Sequence, residues 1–299
     1  MNNPNTLDDF YRYWDKFYSD WKNYNMDLAN GSSWNAYTCM GKWGKPIFIG
    51  GEYKSKKLKC PIKIDTEKLL PEPWWGYNDR NNNLHSVVIN FNPGNGGIEQ
   101  LCDKFYGYYK YSQFMSERIM EYFQLPNKTN NWLWATSNWH YKNRAKCLFD
   151  IIPDIPWKEK FLNNHLSIEL IPWHSPNFNQ DVVEYAKNNL ASIIKYSIAF
   201  AVEASKIIKN EALQNVVIFR CSLNRLKNIF DGSSDYEIIE GYNKQGSFEN
   251  ARCAFFKIRD KKSNMILFPK NNLVAIWQPY HTSMNNFPYS ADMKRIFEI

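Results

Sequence analysis

Four short apolar runs, β-branched or aromatic and mostly stopped by abrupt polar text, constrain this chain more than any other feature. Ser86-Val87-Val88-Ile89-Asn90-Phe91-Asn92 breaks at Pro93-Gly94-Asn95-Gly96-Gly97, and Leu166-Ser167-Ile168-Glu169-Leu170-Ile171 breaks at Pro172. Val216-Val217-Ile218-Phe219 is the third run, and Leu273-Val274-Ala275-Ile276-Trp277 passes into Gln278-Pro279-Tyr280-His281. Runs of this length and composition predict strands. Ahead of the third, apolar or small residues recur at Val183, Ala186, Leu190, Ile194, Ser197, Ala201, Ala204 and Ile208, one face of a helix over 181–209. Near-continuous apolar strands separated by helices predict a parallel sheet covered on both faces. The expected fold is therefore α/β, a three-layer sandwich with a central four-stranded parallel sheet.

Two further segments elaborate it. Ala254-Phe255-Phe256-Lys257-Ile258 and Met265-Ile266-Leu267-Phe268 flank Asp260-Lys261-Lys262-Ser263-Asn264, which predicts an inserted hairpin. At the other end, Phe10, Trp14, Phe17 and Trp21 keep a helical period behind the capping text Thr6-Leu7-Asp8-Asp9, which predicts an amphipathic helix over 7–25. Residues 26–83 are irregular, with Gly50-Gly51 and Pro71-Glu72-Pro73-Trp74-Trp75-Gly76. The expected organisation is an N-terminal extension over 1–70 and one α/β domain over 71–299, since 299 residues lie near the upper size of a single core.

Composition narrows the function classes. The six cysteines (Cys39, Cys60, Cys102, Cys147, Cys221, Cys253) show no C-x-x-C spacing, so neither a zinc knuckle nor an iron–sulfur cluster is expected, and no metal or cofactor is implied. The first residues lack a signal peptide's basic and apolar regions, and no apolar stretch reaches the roughly 18 residues of a membrane span, so a soluble cytoplasmic protein is expected. Lys+Arg exceed Asp+Glu by 37 − 30 = 7, and 17% of residues are aromatic. A basic surface with many π-faces suits nucleic acid, and an aromatic-rich core gives the same count.

In an open parallel sheet the functional loops lie beyond the carboxyl ends of the strands. Three of the four runs lead there into polar text: Asn90-Phe91-Asn92-Pro93-Gly94, Pro172-Trp173-His174-Ser175-Pro176-Asn177, and Gln278-Pro279-Tyr280-His281-Thr282-Ser283-Met284-Asn285. No G-x-S-x-G, Walker or G-x-G-x-x-G signature occurs, and carboxylates near these loops are few, which disfavours serine, nucleotide-loop and two-carboxylate chemistry.

The first loop, Asn90-Phe91-Asn92-Pro93-Gly94, resembles the G-x-N-P-G motif of the uracil-DNA glycosylase superfamily, in its mismatch-specific, thymine-specific and single-strand-selective branches. The last, His281-Thr282-Ser283-Met284-Asn285-Asn286, resembles that superfamily's H-P-S-x-x-N motif, and the segments around Pro71–Gly76 and Ile168–Ser175 resemble poorly described bacterial members. Asn90 stands for the usual glycine and Thr282 for proline. The resemblance implies a monofunctional glycosylase, with no lysine in either motif. It makes Asn92 and His281 catalytic: the Asn92 carbonyl holds a water, and His281 donates to the base oxygen where negative charge collects. By the same resemblance Phe91, Trp173, His174 and Glu169 contact the base. Ser175, Ser283, Met284 and Asn285 contact DNA, with Met284 as a wedge in the vacated stack. The expected partner is DNA carrying uracil or a bulky modified pyrimidine such as glucosylated hydroxymethylcytosine, in repair or phage defence. Two other readings stand beside it: a DNA-binding module that keeps the fold without the reaction, and a hydrolase of free nucleosides or nucleotides.

Overall fold

Val87, Val88 and Ile89 are each at most 1% exposed, and they form the middle of strand β4 (Ser86–Asn90), whose alternating side chains are covered on both faces of the sheet. The structure, a computed structural model, describes residues 6–16, 52–53, 62–63, 73–76, 84–91, 164–172, 183, 186–187, 190–209, 215–230, 235–239, 245–248 and 251–277. In chain order the elements are α1 (7–16), β1 (Glu52–Tyr53), β2 (Ile62–Lys63), β3 (Trp74–Gly76), β4, β5 (His165–Glu169) and α2 (Ala191–Ser205). After α2 come β6 (Val216–Phe219), α3 (Leu223–Phe230), β7 (Tyr236–Ile239), β8 (Gln245–Phe248), β9 (Ala251–Asp260) and β10 (Asn272–Trp277).

The chain divides into two compact units, neither of them a continuous segment. One comprises Met1–Trp74, Phe91–Glu117 and Glu169–Phe200, the other Trp75–Asn90, Arg118–Ile168 and Ala201–Ile299. In the first, α1 contributes an aromatic cluster: Phe10 stacks on Phe200 at 3.6 Å between centroids and meets Trp74 edge-on at 5.6 Å. Tyr13 lies 4.1 Å from Tyr196, whose hydroxyl donates to the Asp9 carbonyl. Thr6 and Asp9 cap the start of α1 reciprocally, each backbone N–H donating to the other's side chain. The expected helix is present over 7–16; residues 17–25 lie outside the described residues.

Apart from Trp74 of β3 and Glu169 of β5, and from the separate two-stranded pair of β1 and β2, all of which fall in the first unit, the second unit carries the main sheet. Its order is β3-β5-β4-β6-β10-β9-β7, with β8 also paired to β9. All four expected strands are present and adjacent, as β5, β4, β6 and β10. β4 and β10 both pair parallel with β6. β5 runs the same way beside β4, because the His85 N–H donates to the Asn164 carbonyl at one end and the Ile171 N–H to the Phe91 carbonyl at the other.

The expectation of a four-stranded, wholly parallel sheet is corrected: the sheet has eight strands and is mixed, because β9 lies antiparallel to β10, β7 and β8. The inserted hairpin is also different. The turn forms where expected, with the Asp260 carboxylate accepting from the Lys262 and Ser263 N–H groups. The arm beyond it makes only a bridge, Arg259 with Ile266, since Pro269 has no N–H to continue a ladder and Phe268 turns inward against Phe219. The partners of β9 are instead β10 on one side and β7 and β8, end to end, on the other. The long helix expected over 181–209 is interrupted. Residues 183 and 186–187 are helical, Leu190 is not, and α2 starts at Ala191 with the Leu190 carbonyl accepting from Ile193 and Ile194. Finally, β4 stops at Asn90, two residues short of the expected run, and β3 falls within the stretch read as loop.

Candidate functional site

Parallel strands in adjacent positions place all their carboxyl ends on one edge of the sheet, so the order β5-β4-β6-β10 fixes where the polar loops begin. The register sharpens this. Phe219 on β6 is opposite Ile89 on β4 and opposite Ala275 on β10, so the strands that precede the first and last loops reach the edge at the same level. With one strand between them, their axes lie about 10 Å apart.

Side chains and backbone tighten that edge. The Asn90 amide donates to the Ser167 hydroxyl at 2.8 Å, and the Arg220 N–H donates to the Ile89 carbonyl at 2.8 Å. Further back along the same pair of strands, the Ser86 hydroxyl and His165 Nδ1 share a buried hydrogen bond of 2.7 Å. Trp277 ends β10 half-buried. In the first unit Phe91 is 6% exposed and its carbonyl accepts from the Ile171 N–H, while Glu169, 5% exposed, donates its N–H to the Pro73 carbonyl. Of the expected site residues, Phe91 and Glu169 are thus placed immediately beyond β4 and as the last residue of β5. Asn92, Trp173, His174, Ser175, His281, Ser283, Met284 and Asn285 lie outside the described residues.

One part of the edge was passed over in the sequence, the end of β6. Arg220, half-buried, follows Phe219 directly, and Ser222 caps α3 with its hydroxyl and carbonyl both accepting from the Arg225 N–H. The signal was available as Arg-Cys-Ser between four buried residues and an amphipathic helix. It was missed because the text contains no turn-breaking Pro or Gly. Between Arg220 and Ser222, Cys221 is buried, and burial pushes its thiol well above the ordinary range while the Arg225 guanidinium partly opposes the shift. Arg220 follows β6 directly and α3 begins at Leu223, so a basic residue and a helix N-terminus both adjoin the strand that lies between β4 and β10. Among the described residues, no three His, Cys, Asp or Glu side chains come together as metal ligands, and no helix is long and apolar enough to cross a membrane.

No family model matches the chain, and neither the curated proteins nor the solved structures provide a match.

Proposed function

We propose that the protein is a monofunctional DNA glycosylase that hydrolyses the N-glycosidic bond of a pyrimidine flipped out of DNA, either uracil or a bulky modified base such as glucosylated hydroxymethylcytosine. The observation that carries the reading is the register across β6: the strands leading into Asn92 and His281 are parallel and reach the carboxyl edge at one level. Two motif loops that start level and about 10 Å apart can act on opposite sides of one bound nucleotide. The strands β5, β4, β6 and β10, which lead into the polar loops, also lie side by side within the mixed sheet. On this reading residues 71–299 are the catalytic domain, residues 1–70 an extension, and the protein acts in the cytoplasm.

The chemistry asks little of the side chains beyond position. As the base departs, positive charge grows on the sugar and negative charge on the base, so an amide that orients water and a donor facing the base oxygen are sufficient when bond breaking precedes attack. Asn92 takes the first role and His281 the second. Phe91, Trp173, His174 and Glu169 hold the base; Ser175, Ser283, Met284 and Asn285 hold the DNA around the vacated stack.

The test is to incubate the protein with duplex and single-stranded DNAs carrying uracil, mismatched thymine or glucosylated hydroxymethylcytosine, and to detect released base and abasic sites by mass spectrometry. Release from at least one is expected. Asn92→Ala should slow it by about 10²-fold or more while leaving DNA affinity near that of the wild type. Tight DNA binding without release from any substrate would instead establish a non-catalytic binding module. Hydrolysis of free nucleosides without DNA binding would establish a small-molecule hydrolase.

A further inference from the structure

Strands β4 and β5 differ from β6 in one respect. Every residue of β6 is apolar and at most 3% exposed, yet the pair β4 and β5 carries polar side chains: Ser86, His165, Ser167 and Glu169 are buried, and Asn90, at the end of β4, is half-buried. Ser86 and His165 are joined at 2.7 Å, Asn90 and Ser167 at 2.8 Å. Ser86, His165 and Ser167 are each at most 1% exposed. Apolar residues would fill these positions with less desolvation, so the polar pairs contribute little net stability. They contribute direction. A side-chain hydrogen bond across two strands is lost on any slip, so it locks register and orientation where backbone bonds alone would allow adjustment.

The outer pair sits where the chain leaves the sheet. Asn90 is the last residue of β4, Phe91 is a bend, and Asn92 follows. Resting on the glycosylase reading, we propose that Asn90 is a positioning residue: its amide, donating to Ser167, sets the angle at which the chain leaves β4 two residues ahead of Asn92. The glycine usual at this place in the resembled motif has no side chain to make such a link, so the bond to β5 is this chain's own device. A small error in the placement of a water-holding group costs rate more than binding, because the ground-state contacts to DNA are made elsewhere.

The test measures single-turnover base release and DNA affinity for wild type, Asn90→Ala, Ser167→Ala and the double variant, on the DNA substrate that the wild type cleaves. Each single variant should release base about tenfold or more slowly. Affinity should stay within about twofold of wild type, and the double variant should be no slower than the slower single one, because both remove the same bond. Ser167→Ala keeps Asn90 intact, so a loss there cannot come from a missing asparagine, and it carries the test should Asn90→Ala fold poorly. Unchanged rates in an active protein would overturn the positioning role and leave the glycosylase reading standing. So would rates that fall only in step with affinity and thermal midpoint, which would make the pair structural. A wild type that releases no base from any DNA would overturn both.

Discussion

Two asparagines occupy backbone that most side chains reject: Asn215 has φ of 60° and Asn264 of 58°. Asparagine tolerates this left-handed region better than branched residues, and glycine tolerates it best. Asn215 precedes β6, and its carbonyl accepts from the Asn271 amide at 3.1 Å, which also donates to the Ser205 carbonyl; one side chain thus ties the ends of α2 and the starts of β6 and β10. Asn215→Val should lower stability by about 1–2 kcal/mol, whereas Asn215→Gly, which keeps the carbonyl, should stay within a few tenths. Chemical denaturation of the two variants checks this. At Cys221 the relevant property is proton affinity. Because burial raises its thiol and the Arg225 cation only partly opposes this, the thiolate is scarce at neutral pH. Cys221, and Cys253 at 0% exposure, should resist iodoacetamide at pH 8 in the folded protein and react promptly in guanidinium, as peptide mass mapping would show.

At the scale of elements, the aromatic surplus resolves in part into packing. Phe10 on α1 touches Tyr11, Trp14, Trp74, Tyr196 and Phe200, and it is fully buried. Phe10→Ala should therefore cost about 3–5 kcal/mol, enough to be read as a large fall in thermal midpoint. The helical period of Phe10 and Trp14 made α1 legible, because a helix that buries one stripe writes that stripe into its own residues. The start of α2 within the expected helix at 181–209 was not legible in the same way: small and apolar residues continue through Leu190, which lies outside α2 although its N–H still donates to the Ala186 carbonyl. Likewise Met265–Phe268 has strand composition, but its fate is decided by Phe268 reaching Phe219 in another element. The buried tyrosines add a pH dependence. Burial raises Tyr13, with Tyr196 adding to it; burial and then Asp9 raise Tyr196; burial and then Asp260 and Asp235 raise Tyr236. A phenol raised on folding keeps its proton in the folded chain after the unfolded chain has lost it. Its stabilising effect is full below about pH 10, the unfolded value, and declines as pH rises above that. Thermal midpoints should begin to fall above about pH 8.5, where the unfolded Cys221 thiol loses its proton, and fall more steeply above about pH 10. Tyr236→Phe should flatten the fall, and phenolate absorbance should rise together with unfolding.

For the whole molecule, what the sequence could not contain was adjacency. Each of the four parallel strands was recognisable alone as a short apolar or β-branched run, and Val216–Phe219, buried on both faces, is without any polar residue. That β6 separates β4 from β10, and that β9 then turns the sheet antiparallel, depends on pairing between segments far apart in the chain. The candidate site follows the same division: Asn90 and Phe91 stood out by their text, whereas Arg220 became visible only once β6 was known to lie between the motif strands. That central position gives the excess charge of +7 a specific use on the glycosylase reading. On that reading Arg220, which follows β6 directly, is the candidate phosphate contact at this edge, and the remaining surplus acts at longer range. If three to five phosphates are neutralised, log affinity should fall with log salt at a slope of about −3 to −4.5, or roughly 10²-fold between 50 and 200 mM. Arg220→Gln should reduce the magnitude of that slope by about one while weakening binding to all DNA sequences alike, because phosphate contacts carry no base information. Fluorescence anisotropy across a salt series measures both quantities. An unchanged slope in Arg220→Gln would remove Arg220 from the DNA path, and a slope near zero in the wild type would remove DNA as the partner.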